Sequence, residues 1–153
     1  MTKRAAASAS LLLVATLALS GCLGPSEYCQ SAETHETTLR DFGGTRTNEA
    51  FTRYAEVADE LAGVAPEGDA AKWSTIADAT AAVVTAQEAL VPQLRLEDMA
   101  DSTKVNGLST KQMKAVNATY TAFNDTQKDR QTLVRVLADE CDLDLRQPAK
   151  DAE

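Results

Sequence analysis

Residues 28–44 have the sequence YCQSAETHETTLRDFGG, and the side chains on one face of this stretch recur every three or four positions. They are Tyr28, Ala32, His35, Leu39 and Phe42. This spacing is typical of an amphipathic α-helix, so we predict a first helix from about Ser26 to Phe42. The Gly43-Gly44 pair ends it, because glycine readily adopts the backbone conformation found at helix C-termini. The place of this helix in the fold depends on Cys29, which lies near its start.

Two further helices are predicted after this glycine pair. The second starts after Thr47, whose hydroxyl can cap it, and ends before Pro66. The third starts near Asp69 and ends or kinks at Pro92, because proline lacks the backbone N–H that a helix interior requires. No stretch of residues 27–145 alternates apolar and polar side chains over the length of a strand. The sequence therefore predicts an all-α domain.

A fourth helix has the best-defined start. Ser109 and Gln112 form an S-x-x-Q capping box, in which two side chains satisfy backbone N–H groups of the first turn. The apolar face of this helix continues to Cys141, with a polar interruption at residues 127–131. Because the fourth helix is about twice as long as the first, part of it must overhang, end early or pack on residues 95–108. That segment allows either a helix or a loop.

The N-terminus has the organisation of an export signal. Lys3 and Arg4 precede an apolar run, which Leu19-Ser20-Gly21-Cys22 closes. These four residues resemble a bacterial lipobox. The resemblance implies that Cys22 is diacylated through its sulfur, that residues 1–21 are a signal peptide, and that residues 22–26 form the lipidated N-terminus and a short tether. An ordinary secretory signal and an uncleaved membrane anchor are the alternatives.

Two cysteines remain after Cys22. In an exported protein an even number of cysteines predicts a disulfide, here Cys29–Cys141, and two buried free thiols are the alternative. The bridge would close a loop that spans nearly the whole domain. Its stabilisation in the chain-entropy model is up to about 4.7 kcal/mol for a loop of roughly 100 residues.

The predicted bridge also selects a topology. If the first two helices were stacked end to end in a three-rod bundle, the two cysteines would lie about 40 Å apart, at ~1.5 Å per helical residue. A disulfide requires Cα atoms within about 7 Å of each other. We therefore predict an antiparallel up-down four-helix bundle over residues 27–145, with the bridge joining its first and last helices. Residues 146–153 are predicted to form a disordered tail.

The short spacing between Cys22 and Cys29 orients the predicted bundle, because it holds the disulfide end against the membrane. Acidic residues cluster near that end. The opposite end carries residues 95–108, and no acidic residue occurs from Ser102 to Asn124. We predict a locally basic contact tip at that end, formed by Arg46, Lys104, Lys111 and Lys114. The alternative is that these side chains form only a solvated face.

Charge and motifs argue against most catalytic and nucleic-acid-binding classes. The mature chain has 13 basic and 23 acidic residues, a net charge of −10, whereas nucleic-acid recognition needs clustered Lys and Arg. His35 is the single histidine of the chain. It begins a His-Glu-Thr-Thr-Leu sequence, but Leu39 stands where a zinc-protease helix has its second histidine. We therefore predict no catalytic residue, metal site or cofactor.

Five residues carry a resemblance to small actinobacterial helical lipoproteins, namely Cys22, Cys29, Pro66, Trp73 and Cys141. The resemblance implies an extracytoplasmic, membrane-anchored location and no particular activity. The leading hypothesis is a non-enzymatic interaction or structural domain of the cell envelope, in contact with another envelope protein or a cell-wall polymer. A carrier with a small-ligand pocket between helices, near Ala77–Ala89, is the alternative, and an enzyme ranks third. The sequence leaves the oligomeric state open.

Overall fold

Helices make up most of the chain. The computed structural model describes residues 26–146, apart from residues 43 and 91 and the side chain of Leu90. The predicted signal peptide and Cys22 lie outside these residues. Within the described part the fold is all-α. The helices are α1 (Glu27–Thr34), α2 (Glu36–Asp41), α3 (Asn48–Val64), α4 (Glu67–Leu90), a 3₁₀-helix (Leu96–Ala100), α5 (Ser102–Val105), α6 (Thr110–Asp125) and α7 (Gln127–Cys141).

The first predicted helix is interrupted at one residue. Ser26 caps α1 by accepting a hydrogen bond from the backbone N–H of Cys29. His35 then leaves the helical region, with φ −104° and ψ 12°, and its N–H is shared between the carbonyls of Ser31 and Ala32. The prediction of a single continuous helix is therefore wrong at His35. Both α1 and α2 pack along the side of α3 rather than continuing its axis.

The boundaries of the next two helices follow from their capping residues. Thr47 caps α3 as predicted, because its hydroxyl accepts a hydrogen bond from the N–H of Ala50 at 3.1 Å. The predicted start of α4, with Asp69 as its cap, is three residues too late, since the helix begins directly after Pro66, whose carbonyl accepts the N–H of Asp69. Asp69 instead forms an ion pair with Lys72 at 2.5 Å. The helix ends before Pro92, as predicted.

The fourth predicted helix is divided into α6 and α7. The Ser109–Gln112 capping box is present at the start of α6, which confirms that prediction. The division falls at the buried Thr126, whose hydroxyl donates to the carbonyl of Phe123 at 2.7 Å. It coincides with the start of the polar interruption at residues 127–131. α6 packs on α4, whereas α7 packs on both α4 and α1.

The buried side chains form one large and two smaller clusters. The large cluster lies between α1, α3, α4 and α7 and includes Leu61, Trp73, Ile76, Leu133 and Leu137. The second joins the start of α3 to α4 and α6 through Phe51, Val83 and Phe123. The third is small and brings Leu94 against Val116 of α6. The segment before α6 is thus held by apolar packing. This agrees with the expectation that the fourth predicted helix packs on residues 95–108.

The Cys29–Cys141 disulfide joins α1 to the last residue of α7. Its Cα atoms are 5.1 Å apart, and the bridge confirms the predicted pairing. Directly after it, Asp142 adopts a left-handed conformation with φ 55°, which reverses the direction of the chain. Leu143 and Leu145 are buried in the large cluster, so residues 143–145 return against the bundle. None of the described helices is long and apolar enough to cross a bilayer.

Two buried tyrosines lie within these clusters. The indole N–H of Trp73 donates to the hydroxyl of Tyr28 at 2.9 Å, which links α4 to α1. Burial raises the pKa of Tyr28 to about 12. Tyr54 stacks on Phe42, with ring centroids 3.7 Å apart, and burial also raises its pKa to about 12. Both phenols are therefore held in their neutral form.

Removing the disulfide is expected to destabilise the domain strongly. In the Cys29→Ala/Cys141→Ala double variant, the unfolded chain regains the freedom of a loop that spans 112 positions. We expect the free energy of unfolding to fall by about 2–5 kcal/mol, measured by urea denaturation followed by circular dichroism. As a control, a reducing agent should destabilise the wild type and leave the double variant unaffected. An unchanged urea midpoint in the double variant would contradict this expectation.

The neutral tyrosines predict an alkaline loss of stability. A tyrosine ionises near pH 10 in the unfolded chain, whereas Tyr28 and Tyr54 ionise near pH 12 in the fold. Their contribution is complete below pH 10 and declines as the pH rises towards 12. In urea denaturation, the stability of the Tyr54→Phe variant should therefore fall less steeply above pH 10 than that of the wild type. Equal slopes above pH 10 would argue against this, and slopes at pH 7–9 serve as the control.

Candidate functional site

A buried polar network holds the segment that follows α4. The side-chain amide of Asn48 at the start of α3 donates to Gln87 Oε1 of α4 at 2.7 Å. The backbone N–H of Leu96 donates to Asn48 Oδ1 at 2.9 Å, and Gln87 Nε2 donates to the carbonyl of Leu94. Asn48 and Gln87 are both buried. These bonds fix the segment after α4 against the start of α3.

Two cations of this region, Arg95 and Lys104, are paired with acidic side chains. Arg95 bonds to Glu49 and, at 2.9 Å, to Glu97. Lys104, one of the predicted tip residues, bonds to Asp98. This hydrogen bond raises the pKa of Lys104 and lowers the pKa of Asp98. The positive charge expected at the tip is therefore offset locally by neighbouring carboxylates.

The other predicted tip residues are in different surroundings. Lys111 and Lys114 are exposed on α6, and neither has an ion-pair partner within the described residues. Arg46 is exposed and lines a depression of about 270 Å³ between the end of α2, α3, α6 and α7. None of the three lysines lines this depression, so the structure does not bring Arg46 together with them there. The role of these four residues as a contact tip remains a prediction.

An open groove of about 600 Å³ runs along α7, and sequence reasoning did not find it. We call it the α7 groove. Three arginines, two glutamines and one valine line it: Gln127, Arg130, Gln131, Val134, Arg135 and Arg146. Arg146 belongs to the segment that returns after Asp142, so the groove takes residues from two separate parts of the chain. Arg146 is also the first residue of the predicted disordered tail, whose remaining residues lie outside the described part.

Arg130 is held rigidly at one end of the α7 groove. Its guanidinium carbon lies 4.2 Å from the centroid of the Phe123 ring, a cation–π arrangement. Its Nε donates to the hydroxyl of Thr126 at 3.1 Å. Burial lowers the pKa of Arg130, although an arginine keeps its charge at neutral pH. Arg130 also lines the depression beside Arg46, so the two surfaces adjoin at this side chain.

The other two arginines approach the α7 groove from different segments. Arg135 bonds through Nε to the carbonyl of Gln131 at 3.3 Å, which directs it back along its own helix. Arg146 donates from Nε to Asp144 Oδ1 at 3.0 Å. Within the described residues, neither Arg130 nor Arg135 forms an ion pair with a carboxylate. Their positive charges are therefore available to a ligand.

His35 takes part in a different arrangement, which lies between α1 and α3. Its Nε2 lies 3.0 Å from Glu60 Oε2, and the hydroxyl of Ser31 donates to Glu60 Oε1 at 2.8 Å. These two hydrogen bonds lower the pKa of Glu60. In a catalytic triad the histidine must contact the serine, whereas here the carboxylate lies between them. The arrangement ties α1 to α3 and does not activate a nucleophile.

Comparisons with known proteins leave the site to be interpreted from its geometry. No protein-family model, curated protein or solved structure matches the chain. Within the described residues, no group of His, Cys, Asp or Glu side chains could hold a metal ion.

The α7 groove was not predicted from the sequence, for one reason in α7 and another at Arg146. Gln127, Arg130, Gln131 and Arg135 interrupt an apolar face, and their helical spacing could have indicated a polar face on α7. The contribution of Arg146 depends on the chain reversal, which no residue pattern indicates.

The network around Asn48 predicts a specific loss of stability. The Asn48→Ala variant loses the buried hydrogen bonds of Asn48 to Gln87 Oε1 and to the N–H of Leu96, and we expect the free energy of unfolding to fall by about 1–3 kcal/mol. The exposed Thr52→Ala variant on the same helix is the matched control. Hydrogen exchange at the Leu96 amide should accelerate in the Asn48 variant alone. Equal stability of the two variants would mean that the network does not hold this segment.

Proposed function

We propose that the chain is a lipid-anchored, non-enzymatic interaction domain on the outer face of the cytoplasmic membrane. The lipobox ending at Cys22 supports the anchor, because acylation at that residue attaches the mature N-terminus to the bilayer. The protein surface adds little membrane affinity, since a net charge of −10 is repelled by anionic headgroups. An actinobacterial origin belongs to the same proposal and rests on the sequence resemblance alone.

The helices described above support an antiparallel up-down four-helix bundle as the architecture of this domain. Its four rods would be α1 with α2, α3, α4, and α6 with α7. Each rod packs against the next along the chain, and α1 packs against α7 beside the disulfide. The hydrogen bond between Tyr28 and Trp73 and the bond between Asn48 and Gln87 then lie near opposite ends of the bundle.

The proposed anchor orients this bundle. Six residues, 23–28, separate Cys22 from Cys29. The disulfide end therefore lies next to the membrane, and the α7 groove extends away from it. The start of α7 is about 21 Å from Cys141 along the helix axis, at ~1.5 Å per residue.

The α7 groove is the observation that best supports an interaction domain. It gathers three guanidinium groups in a protein whose overall charge is strongly negative, and two of them lack an acidic partner within the described residues. Local charge against the sign of the whole chain is typical of a surface that binds a partner of opposite charge. The predicted contact tip is a weaker candidate, because Asp98 offsets the charge of Lys104.

A small-ligand carrier is the second candidate, and the packing of α4 argues against it. The pocket was expected near Ala77–Ala89. In that stretch Ala77, Thr80 and Val83 are each at most 7 % exposed. Ala77 and Val83 belong to hydrophobic clusters, and the hydroxyl of Thr80 bonds to a carbonyl of its own helix. These side chains already contact other parts of the protein, so they do not line the expected pocket.

Acylation of Cys22 can be tested by intact mass and fractionation. In a bacterial host that processes lipoproteins, the wild-type chain should be recovered from the membrane fraction, with a mass that includes a diacylglyceryl group on a chain beginning at Cys22. The Cys22→Ser variant should lack this mass and should not be recovered as the mature membrane form. Ser20→Ala keeps the small residues of the lipobox and is the matched control. A mature wild-type chain without acyl groups would refute the anchor.

A further inference from the structure

We propose that the α7 groove binds a linear polymer of the cell envelope through its phosphodiester groups. The proposal rests on the proposed function in one respect, since it requires an extracytoplasmic location. It adds a ligand class and assigns the binding residues, which are Arg130, Arg135 and Arg146, with Gln127 and Gln131 between them.

An anionic ligand follows from the charges that line the groove. Guanidinium groups have several N–H donors and no acceptor, so three of them facing one groove favour an oxyanion. Asp144 offsets only part of the charge of Arg146. The cation–π contact with Phe123 and the bond to Thr126 hold Arg130 in place before a ligand arrives. A side chain that is already positioned loses little conformational freedom on binding, which favours affinity.

The origin of the lining arginines in two chain segments favours phosphate over carboxylate. A carboxylate is planar and is satisfied by one guanidinium in a bidentate pair. A phosphate is tetrahedral and accepts hydrogen bonds from several sides. Arg130 and Arg135 extend from α7, whereas Arg146 comes from the segment that returns beside it. Guanidinium groups from two separate segments therefore line one groove, which suits a group that accepts hydrogen bonds from several sides.

The shape of the surface favours a polymer as the ligand. The α7 groove is open to solvent and joins the depression beside Arg46 through the shared Gln127 and Arg130. Arginines consequently occur along an extended path rather than around one closed pocket. Arg130 and Arg135 are five residues apart, which corresponds to about 7.5 Å along the helix axis. The amides of Gln127 and Gln131 can bond to the hydroxyl groups of a polyol or sugar between successive phosphates.

The position of the groove argues against a phospholipid headgroup. The groove is formed along the side of α7, and its Gln127 end is about 21 Å from the disulfide along the helix axis. Because the disulfide end lies next to the proposed anchor, that end of the groove projects out of the bilayer surface. A polymer that extends outward from the membrane can follow this path, whereas a headgroup at the bilayer surface cannot.

The experiment measures binding of a synthetic glycerol phosphate oligomer to the full mature chain, purified from membranes in a neutral detergent. The affinity is compared with that of the Arg135→Gln/Arg146→Gln variant, in which two exposed groove residues lose their charge. The Lys111→Gln/Lys114→Gln variant has the same net charge and is the matched control. We expect the groove variant to bind roughly tenfold or more weakly, because charge-assisted hydrogen bonds are lost, and the control to bind like the wild type.

A further variant tests the geometry of the guanidinium. Arg130→Lys keeps the positive charge but removes the planar group that stacks on Phe123, so it should also weaken binding. Wild-type affinity in this variant would contradict the assigned role of Arg130. Circular dichroism melting curves accompany each measurement, and only variants that melt like the wild type are compared.

Other outcomes would overturn the inference. Equal weakening in the groove variant and in the lysine control would show that only the overall charge matters. Inorganic phosphate that binds as tightly as the oligomer would indicate a site for a free ion. Binding to phosphatidylglycerol vesicles that depends on Arg135 and Arg146 would indicate a lipid ligand.

If the wild type does not bind the oligomer while Cys22 is acylated, this inference fails and the anchor remains. If Cys22 carries no acyl group while the oligomer binds through the groove, the anchor fails alone.

Discussion

The covalent link between Cys29 and Cys141 constrains the rest of this structure. It joins the start of α1 to the end of α7, so the two ends of the helical domain must meet. With those ends together, α1 and α2 lie beside α3 instead of extending it, and Tyr28 reaches Trp73 at the start of α4. The largest buried cluster forms around these contacts. A loop closed over most of the domain also restricts the unfolded chain, which favours folding in a domain of modest size.

The candidate binding surface forms directly beyond this link. Helix α7 ends at Cys141, and the chain reverses at Asp142, with φ 55°. Burial of Leu143 and Leu145 holds the returning segment against the bundle. Arg146 is thereby placed beside Arg130 and Arg135. The α7 groove thus depends on the fold as a whole, although five of its six lining residues belong to a single helix.

Much of the helical framework was predictable because it depends on local interactions. The caps at Thr47 and Ser109 satisfy backbone groups within one turn, so their sequences were sufficient to locate the starts of α3 and α6. The break at His35 was not predicted, since apolar spacing continues across that position. The polar interruption at residues 127–131 was visible in the sequence, but it did not by itself indicate that a helix ends at Thr126. The break at Thr126 coincides with a change of packing partners, because α6 packs on α4 whereas α7 packs on both α4 and α1. Packing partners are decided by the tertiary structure. Asp69 was a plausible cap, but Pro66 before it allowed the helix to begin earlier.

The sequence alone determined the all-α class, the main helix boundaries, the disulfide pairing and the expectation of a lipid anchor at Cys22. Each depends on residue type, short-range spacing or the parity of the cysteines. Tertiary structure alone decided how the charges are distributed. It paired Lys104 with Asp98, placed Arg46 at a depression that none of the three predicted tip lysines lines, and gathered Arg130, Arg135 and Arg146 into one groove. Electrostatic interactions depend on distance in space, and residues far apart in sequence become neighbours only when the chain has folded.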